Sequence, residues 1–71
     1  MSLLSPPLEA FLAVTKLKTV IAASKELGIT QTGVTQRIRV LEGQLSATLF
    51  VRTRKGMSLT HEGQALLRYC Q

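Results

Sequence analysis

The connection Leu27-Gly28-Ile29-Thr30-Gln31 constrains this chain more than any other stretch. Before it, Val20, Ala23, Ser24 and Leu27 recur at the i, i+3, i+4, i+7 spacing of a helix with one face against another element. Small residues stand in that face where another backbone must come close. Gly28 supplies a left-handed helix stop, and Thr30 supplies a hydroxyl to cap the next helix. Only Ile29 lies between stop and cap. So short a connection forces the two helices to cross steeply, as in a helix-turn-helix, with Ile29 plugging the corner.

The helix after the turn is predicted from about Gln31 to Ser46, and it has two opposed faces. At about 100° per residue, Val34, Ile38, Leu41 and Leu45 share one core-facing stripe. Thr32, Thr35, Gln36, Arg39 and Gly43 fall on the far side. That side holds hydroxyls, an amide, a guanidinium and a glycine, with no carboxylate and no large apolar group. Such a face can approach a polyanion closely and read hydrogen-bonding groups on base edges.

The rest of the chain supplies a frame for this pair. Ser5-Pro6-Pro7 reads as a capped helix start, with Leu8, Phe11, Leu12 and Thr15 marking one face as far as about Leu17. Lys18-Thr19 breaks that helix, and Thr19 caps the second. Leu49 to Thr53 is a β-branched and aromatic strand, Arg54-Lys55-Gly56 a turn, and Met57-Ser58-Leu59 a returning strand. This hairpin with a basic tip is a wing. Thr60 caps a fourth helix, whose apolar stripe of Ala65, Leu66, Tyr69 and Cys70 reaches the last residues and reads as cut rather than finished. The expected core is Leu8, Phe11, Leu27, Val34, Ile38 and Leu41, with Phe50. Met1 to Leu4 is expected to be a leader or disordered terminus.

Composition narrows the function. Seventy-one residues make one small domain whose core is marginal in size. The net charge is +5, and five cations (Arg37, Arg39, Arg52, Arg54 and Lys55) stand against Glu42 alone between residues 30 and 60. Charge clustered on one helix and the hairpin after it is a footprint for phosphate. Cys70 is the only cysteine and cannot form an internal disulfide, so a reducing cytoplasm is the natural compartment. With one histidine, His61, one cysteine and four scattered carboxylates, the sequence offers no metal set and no nucleophile-base pair. No enzyme, no cofactor and no metal are expected. No apolar run approaches the roughly 18 residues that span a bilayer, so no membrane partner is expected.

The order of elements is that of a winged helix-turn-helix, and the residues narrow it further. The run from Ala23 to Leu45, then Leu49 to Leu67, resembles the amino-terminal DNA-binding domain of LysR-type transcriptional regulators. The matching positions are Leu27-Gly28, Ile29-Thr30-Gln31, Val34-Thr35, Ile38, Leu41-Glu42, Leu45, Leu49-Phe50, Arg52-Thr53, Gly56, Leu59-Thr60 and Gly63. The resemblance covers about residues 5–71. Departures are Thr32-Gly33 where the family commonly has Pro-Ala, Gln36 where arginine is frequent, and Ser46 and Lys18 where glycine is common. Gln36 exchanges a guanine reader for an adenine-capable amide.

The resemblance implies a mainly α fold: a three-helix winged helix-turn-helix over residues 5–60, a small β-hairpin wing, and the start of a linker helix over 61–71. It implies sequence-specific binding of double-stranded DNA, with Gln31, Thr32, Thr35, Gln36 and Arg39 toward the bases. Thr19, Thr30, Arg37, Arg52, Thr53, Arg54 and Lys55 are then the backbone and wing contacts, Thr19 and Thr30 also being helix caps. Leu66, Tyr69 and Cys70 are the expected homodimer contacts of the linker helix. A small-molecule inducer would act only through an effector domain, which these residues do not contain. The alternative is a winged-helix protein-interaction module without DNA binding, disfavoured by the polar outer face and basic wing. Binding of RNA or single strands would need exposed stacking aromatics, and Phe11 and Phe50 read as core.

Overall fold

A computed structural model describes residues 5–70, so the expectation for Met1 to Leu4 lies outside the described residues. The elements run α1 (Pro6–Leu17), α2 (Val20–Leu27), α3 (Gln31–Leu45), β1 (Phe50–Thr53), β2 (Gly56–Leu59) and α4 (His61–Cys70). This is the expected winged helix-turn-helix. Among the described residues, no helix is long and apolar enough to cross a membrane.

Local chemistry sets the boundaries. Four hydroxyls accept a backbone N–H three residues on: Ser5 from Leu8 at 3.3 Å, Thr19 from Ala22 at 3.0 Å, Thr30 from Gly33 at 2.9 Å and Thr60 from Gly63 at 3.0 Å. Each satisfies one of the donors that a helix start leaves free. Gly28 ends α2 at φ 68. Lys18 and Ser46 end α1 and α3 in the same left-handed region, at φ 73 and 52, although both carry a side chain. That conformation costs roughly 1 kcal/mol for an L-residue.

The core is Ala10, Phe11, Ala13, Val14, Ala23, Val34, Ile38, Leu41, Leu49 and Phe50. The structure corrects three expectations. Leu45 is 46% exposed, because it stands in the last turn of α3, past the edge of what α1 covers. In α1 the buried face is Ala10, Phe11, Ala13 and Val14, while Leu8, Leu12 and Thr15 are half-buried. The expected stripe is therefore rotated by about a third of a turn. The cause is that α1 packs on α2, α3 and the hairpin together, and the face it buries includes Ala10 and Ala13, which weigh little in a hydrophobic pattern. Leu27 is likewise only half-buried.

Leu49 joins the hairpin to the helices. Its N–H donates to the Glu42 carboxylate at 2.8 Å, and its carbonyl accepts the Thr60 N–H at 3.0 Å. Next to it, the Phe50 ring meets Phe11 at 5.4 Å between centroids, tilted by 45°, a favourable edge-directed contact. β1 and β2 pair antiparallel with Phe50 opposite Leu59 and Thr53 opposite Gly56, leaving Arg54-Lys55 as a two-residue turn. The Thr60 hydroxyl donates to the Thr48 carbonyl, and buried Gly63 lets α4 seat on the Leu49 backbone.

Two glycines should respond oppositely to alanine. A Cβ on Gly43 meets nothing within 4 Å, so Gly43→Ala is expected to stabilise by about 0.5–1 kcal/mol through helix propensity. A Cβ on Gly63 would lie 2.3 Å from the Leu49 carbonyl oxygen, so Gly63→Ala is expected to destabilise by about 1–3 kcal/mol. Urea unfolding followed by circular dichroism measures both. Equal effects of the two would contradict the seating of α4.

Candidate nucleic-acid interface

The short connection between α2 and α3 brings both helix starts to one concavity, with the hairpin beside them. Between them lies an open groove of about 620 Å³. From the helices it is lined by Thr19, Gln31, Thr32 and Thr35, and from the hairpin by Arg52, Thr53, Arg54 and Lys55. Eight of the residues singled out from sequence thus meet around one concavity. Its wall carries three cations and no carboxylate.

A second, smaller hollow of about 230 Å³ adjoins it, sharing Val20, Thr35, Arg52 and Met57 and adding, among others, Arg39 and Glu42. Among the described residues, Glu42 is the one acid that lines either hollow, and its carboxylate accepts the Leu49 N–H. Its single negative charge stands against Arg39, Arg52, Arg54 and Lys55, so the face stays basic.

Gln36 is exposed and does not line the groove. At about 100° per residue it lies almost opposite the buried stripe of Val34, Ile38 and Leu41, on the outermost line of α3. Thr30 is also exposed, at the start of that helix. Arg37 stands apart: it is half-buried and falls on the opposite flank of α3 from Arg39. Val40, 51% exposed, is an apolar side chain beyond the polar face recognised in the sequence.

The threonines divide by chemistry. Thr19 and Thr30 accept a capping N–H through Oγ1, which leaves each hydroxyl proton available to an outside acceptor such as a phosphate oxygen. Thr53 is used within the wing, where its hydroxyl donates to the Gly56 carbonyl at 3.0 Å and accepts the Lys55 N–H at 3.3 Å. It shapes the turn that presents Arg54 and Lys55.

Sequence reasoning missed Val20, Ile21, Gly56 and Met57 as groove residues. Ile21 is 52% exposed and sits off the Val20, Ala23, Ser24, Leu27 stripe. An apolar residue out of register with its own helix was the available signal. In α4, Tyr69 is 89% exposed, whereas Leu66 packs partly against the core and Cys70 is half-buried. The apolar stripe there is therefore partly spent on this chain's own core. Among the described residues, no group of three or more His, Cys, Asp or Glu is placed to hold a metal ion.

Comparison with known proteins agrees with this geometry. A family model described as "Bacterial regulatory helix-turn-helix protein, lysR family" matches residues 7–64. The HTH-type transcriptional regulator CzcR of Bacillus subtilis (strain 168) is 42% identical over 62 residues, covering 87% of this chain and 22% of that protein. The chain thus spans about a fifth of the length of the curated relatives it matches. ArgP from Mycobacterium tuberculosis superposes with a TM-score of 0.83 at 38% identity, covering 96% of this chain and 26% of that one. A CbnR DBD–DNA complex superposes with a TM-score of 0.82 at 33% identity, covering 89% of this chain and 72% of that one.

Proposed function

This chain belongs to the lysR family of bacterial regulatory helix-turn-helix proteins, and from that premise we propose that its groove is a reading surface for double-stranded DNA. The observation that carries the proposal is the convergence of Thr19, Gln31, Thr32, Thr35, Arg52, Arg54 and Lys55 on one carboxylate-free concavity. In this reading α3 enters the major groove by its first turns, where recognition helices of this class meet base edges. Gln31, Thr32, Thr35, Gln36 and Arg39 face the bases. The amides suit the paired donor and acceptor of adenine, and a threonine methyl suits that of thymine. Thr19 and Thr30 donate to phosphate from helix starts. Arg52, Arg54 and Lys55 follow the backbone or an adjacent narrow minor groove, and Arg37 reaches phosphate from the far flank.

Residues 5–60 form the DNA-binding unit in this proposal, and 61–71 begin a linker helix that pairs two subunits. Tyr69 at 89% exposure is the side chain that supports the pairing. A two-fold pair sets two copies of α3 on successive turns of the major groove, about 34 Å apart. A small-molecule inducer would act through an effector domain outside these 71 residues. The place of action is the cytoplasm, where bacterial DNA lies.

Three outcomes are expected. Log affinity for a duplex should fall linearly with log salt, by about 0.9 per phosphate contacted. Titration at several salt concentrations measures this, and a flat response would favour the protein-interaction alternative. Gln36→Ala should relax base choice at one position per half-site, at about 1–3 kcal/mol, while Arg54→Ala weakens many sequences alike. Selection of duplexes from a random pool by each variant separates the two effects, and unchanged base preference in Gln36→Ala would refute the assigned reading face. Tyr69→Lys should shift sedimentation toward monomer at micromolar concentration. Identical sedimentation of parent and variant would remove the dimer from the proposal for this chain.

A further inference from the structure

The hairpin is held to the helices at a second place, away from Leu49 and Phe50. Thr53 and Gly56 flank the two-residue turn and form its hydrogen-bonded pair, so Arg52 and Met57 are the next, non-hydrogen-bonded pair. The Met57 N–H therefore points off the free edge of β2. It donates to the Lys18 carbonyl at 2.7 Å, the shortest backbone bond made outside the regular elements among the described residues. Lys18 is the left-handed residue between α1 and α2. That reversal takes its carbonyl off the helical ladder and leaves it for the hairpin.

Gly56 fits the same contact. It has φ 118, and an added Cβ would lie 2.4 Å from the Lys18 oxygen and 3.5 Å from Thr19 Cγ2. The backbones of wing and corner touch with no space for a side chain. Thr19, Gly56 and Met57 also line the groove. The clasp thus lies in the groove wall, joining the start of α2 to the strand that carries the turn.

We infer that this Lys18–Gly56–Met57 clasp is a positioning device for DNA binding: it sets the height of Arg54 and Lys55 over the groove, and Gly56 is its positioning residue. The inference rests on the reading of the groove as a duplex site. A two-stranded hairpin alone is marginally stable, so its tip keeps a fixed place only if both ends are tied. Leu49 and Phe50 tie the root, and the clasp ties the middle of β2, two residues from Lys55. The cations then arrive at phosphate already placed, and less ordering entropy is lost on binding.

The test uses the 71-residue chain and a duplex selected by the parent from a random pool. Gly56→Ala is expected to keep the helical circular dichroism of the parent and to weaken binding roughly tenfold, since a displaced tip loses its phosphate contacts. Arg54→Ala, costing several-fold in the parent, should cost less than about twofold in the Gly56→Ala background, because contacts through one element are not additive. Gln36→Ala should keep its full cost in both backgrounds, because α3 has not moved. Loss of both effects together would mean general unfolding and would overturn the positioning role, as would an Arg54→Ala cost that is equal in the two backgrounds. Hydrogen exchange of the free parent gives a measurement independent of any variant. The Met57 amide should be protected like the cross-strand amides of the hairpin, and exchange at the rate of an unfolded chain would overturn the clasp. A parent that selects no duplex refutes the DNA reading itself; a parent that does, with Gly56→Ala binding equally well, refutes only the clasp.

Discussion

The packing of Leu49 is the constraint on which the rest of the structure depends. Its side chain is 1% exposed in the core, its N–H is held by Glu42 of α3, and its carbonyl receives the start of α4. Gly63 then lies against its backbone so closely that no side chain fits between. Through this residue the last turn of α3, the root of the hairpin and the first turn of α4 are tied together. Small domains have little core to spare, and here a single position of the chain serves three joints. The placement of the wing beside α3 follows from it, and so does the direction in which α4 leaves the domain.

Local signals in the sequence were legible where one residue type does one job. Thr19, Thr30 and Thr60 cap helices, Gly28 ends one, and the one-residue connection at Ile29 fixes the crossing of α2 and α3. The groove was legible for a related reason, since polar and basic side chains were already grouped along the outer face of α3 and the hairpin, with Glu42 the one carboxylate of α3. Helix orientation was less legible. Leucines were weighted over alanines in α1, but alanine is what lets three elements approach one helix, and the buried face turned toward Ala10, Ala13 and Val14. Leu45 fits a periodic stripe and still lies beyond its neighbours' reach.

Backbone contacts were the part that no pattern of side chains could reveal. Lys18 and Ser46 adopt left-handed conformations although each carries a side chain, and only the family's common glycine at these positions hinted at it. Gly56 and Gly63 matter because of atoms far along the chain, the carbonyls of Lys18 and Leu49. Such close approaches depend on tertiary geometry. Thr53 illustrates the same limit on a smaller scale, since its bonds to Gly56 and Lys55 within the turn follow from the folded hairpin.

The charge of the hairpin has a consequence for the chain alone. The described sheet has two strands, so the outer edge of β1 has no strand beside it, and Val51 on that strand is 47% exposed. An open edge with an apolar side chain is a template on which another copy can add a strand, the first step toward aggregation. Arg52 on the same strand and Arg54 and Lys55 at its end oppose this, because two copies aligned edge to edge would bring like charges together. The cations of the wing therefore also protect the colloidal stability of the domain, and a variant stripped of them would lose a safeguard against self-association.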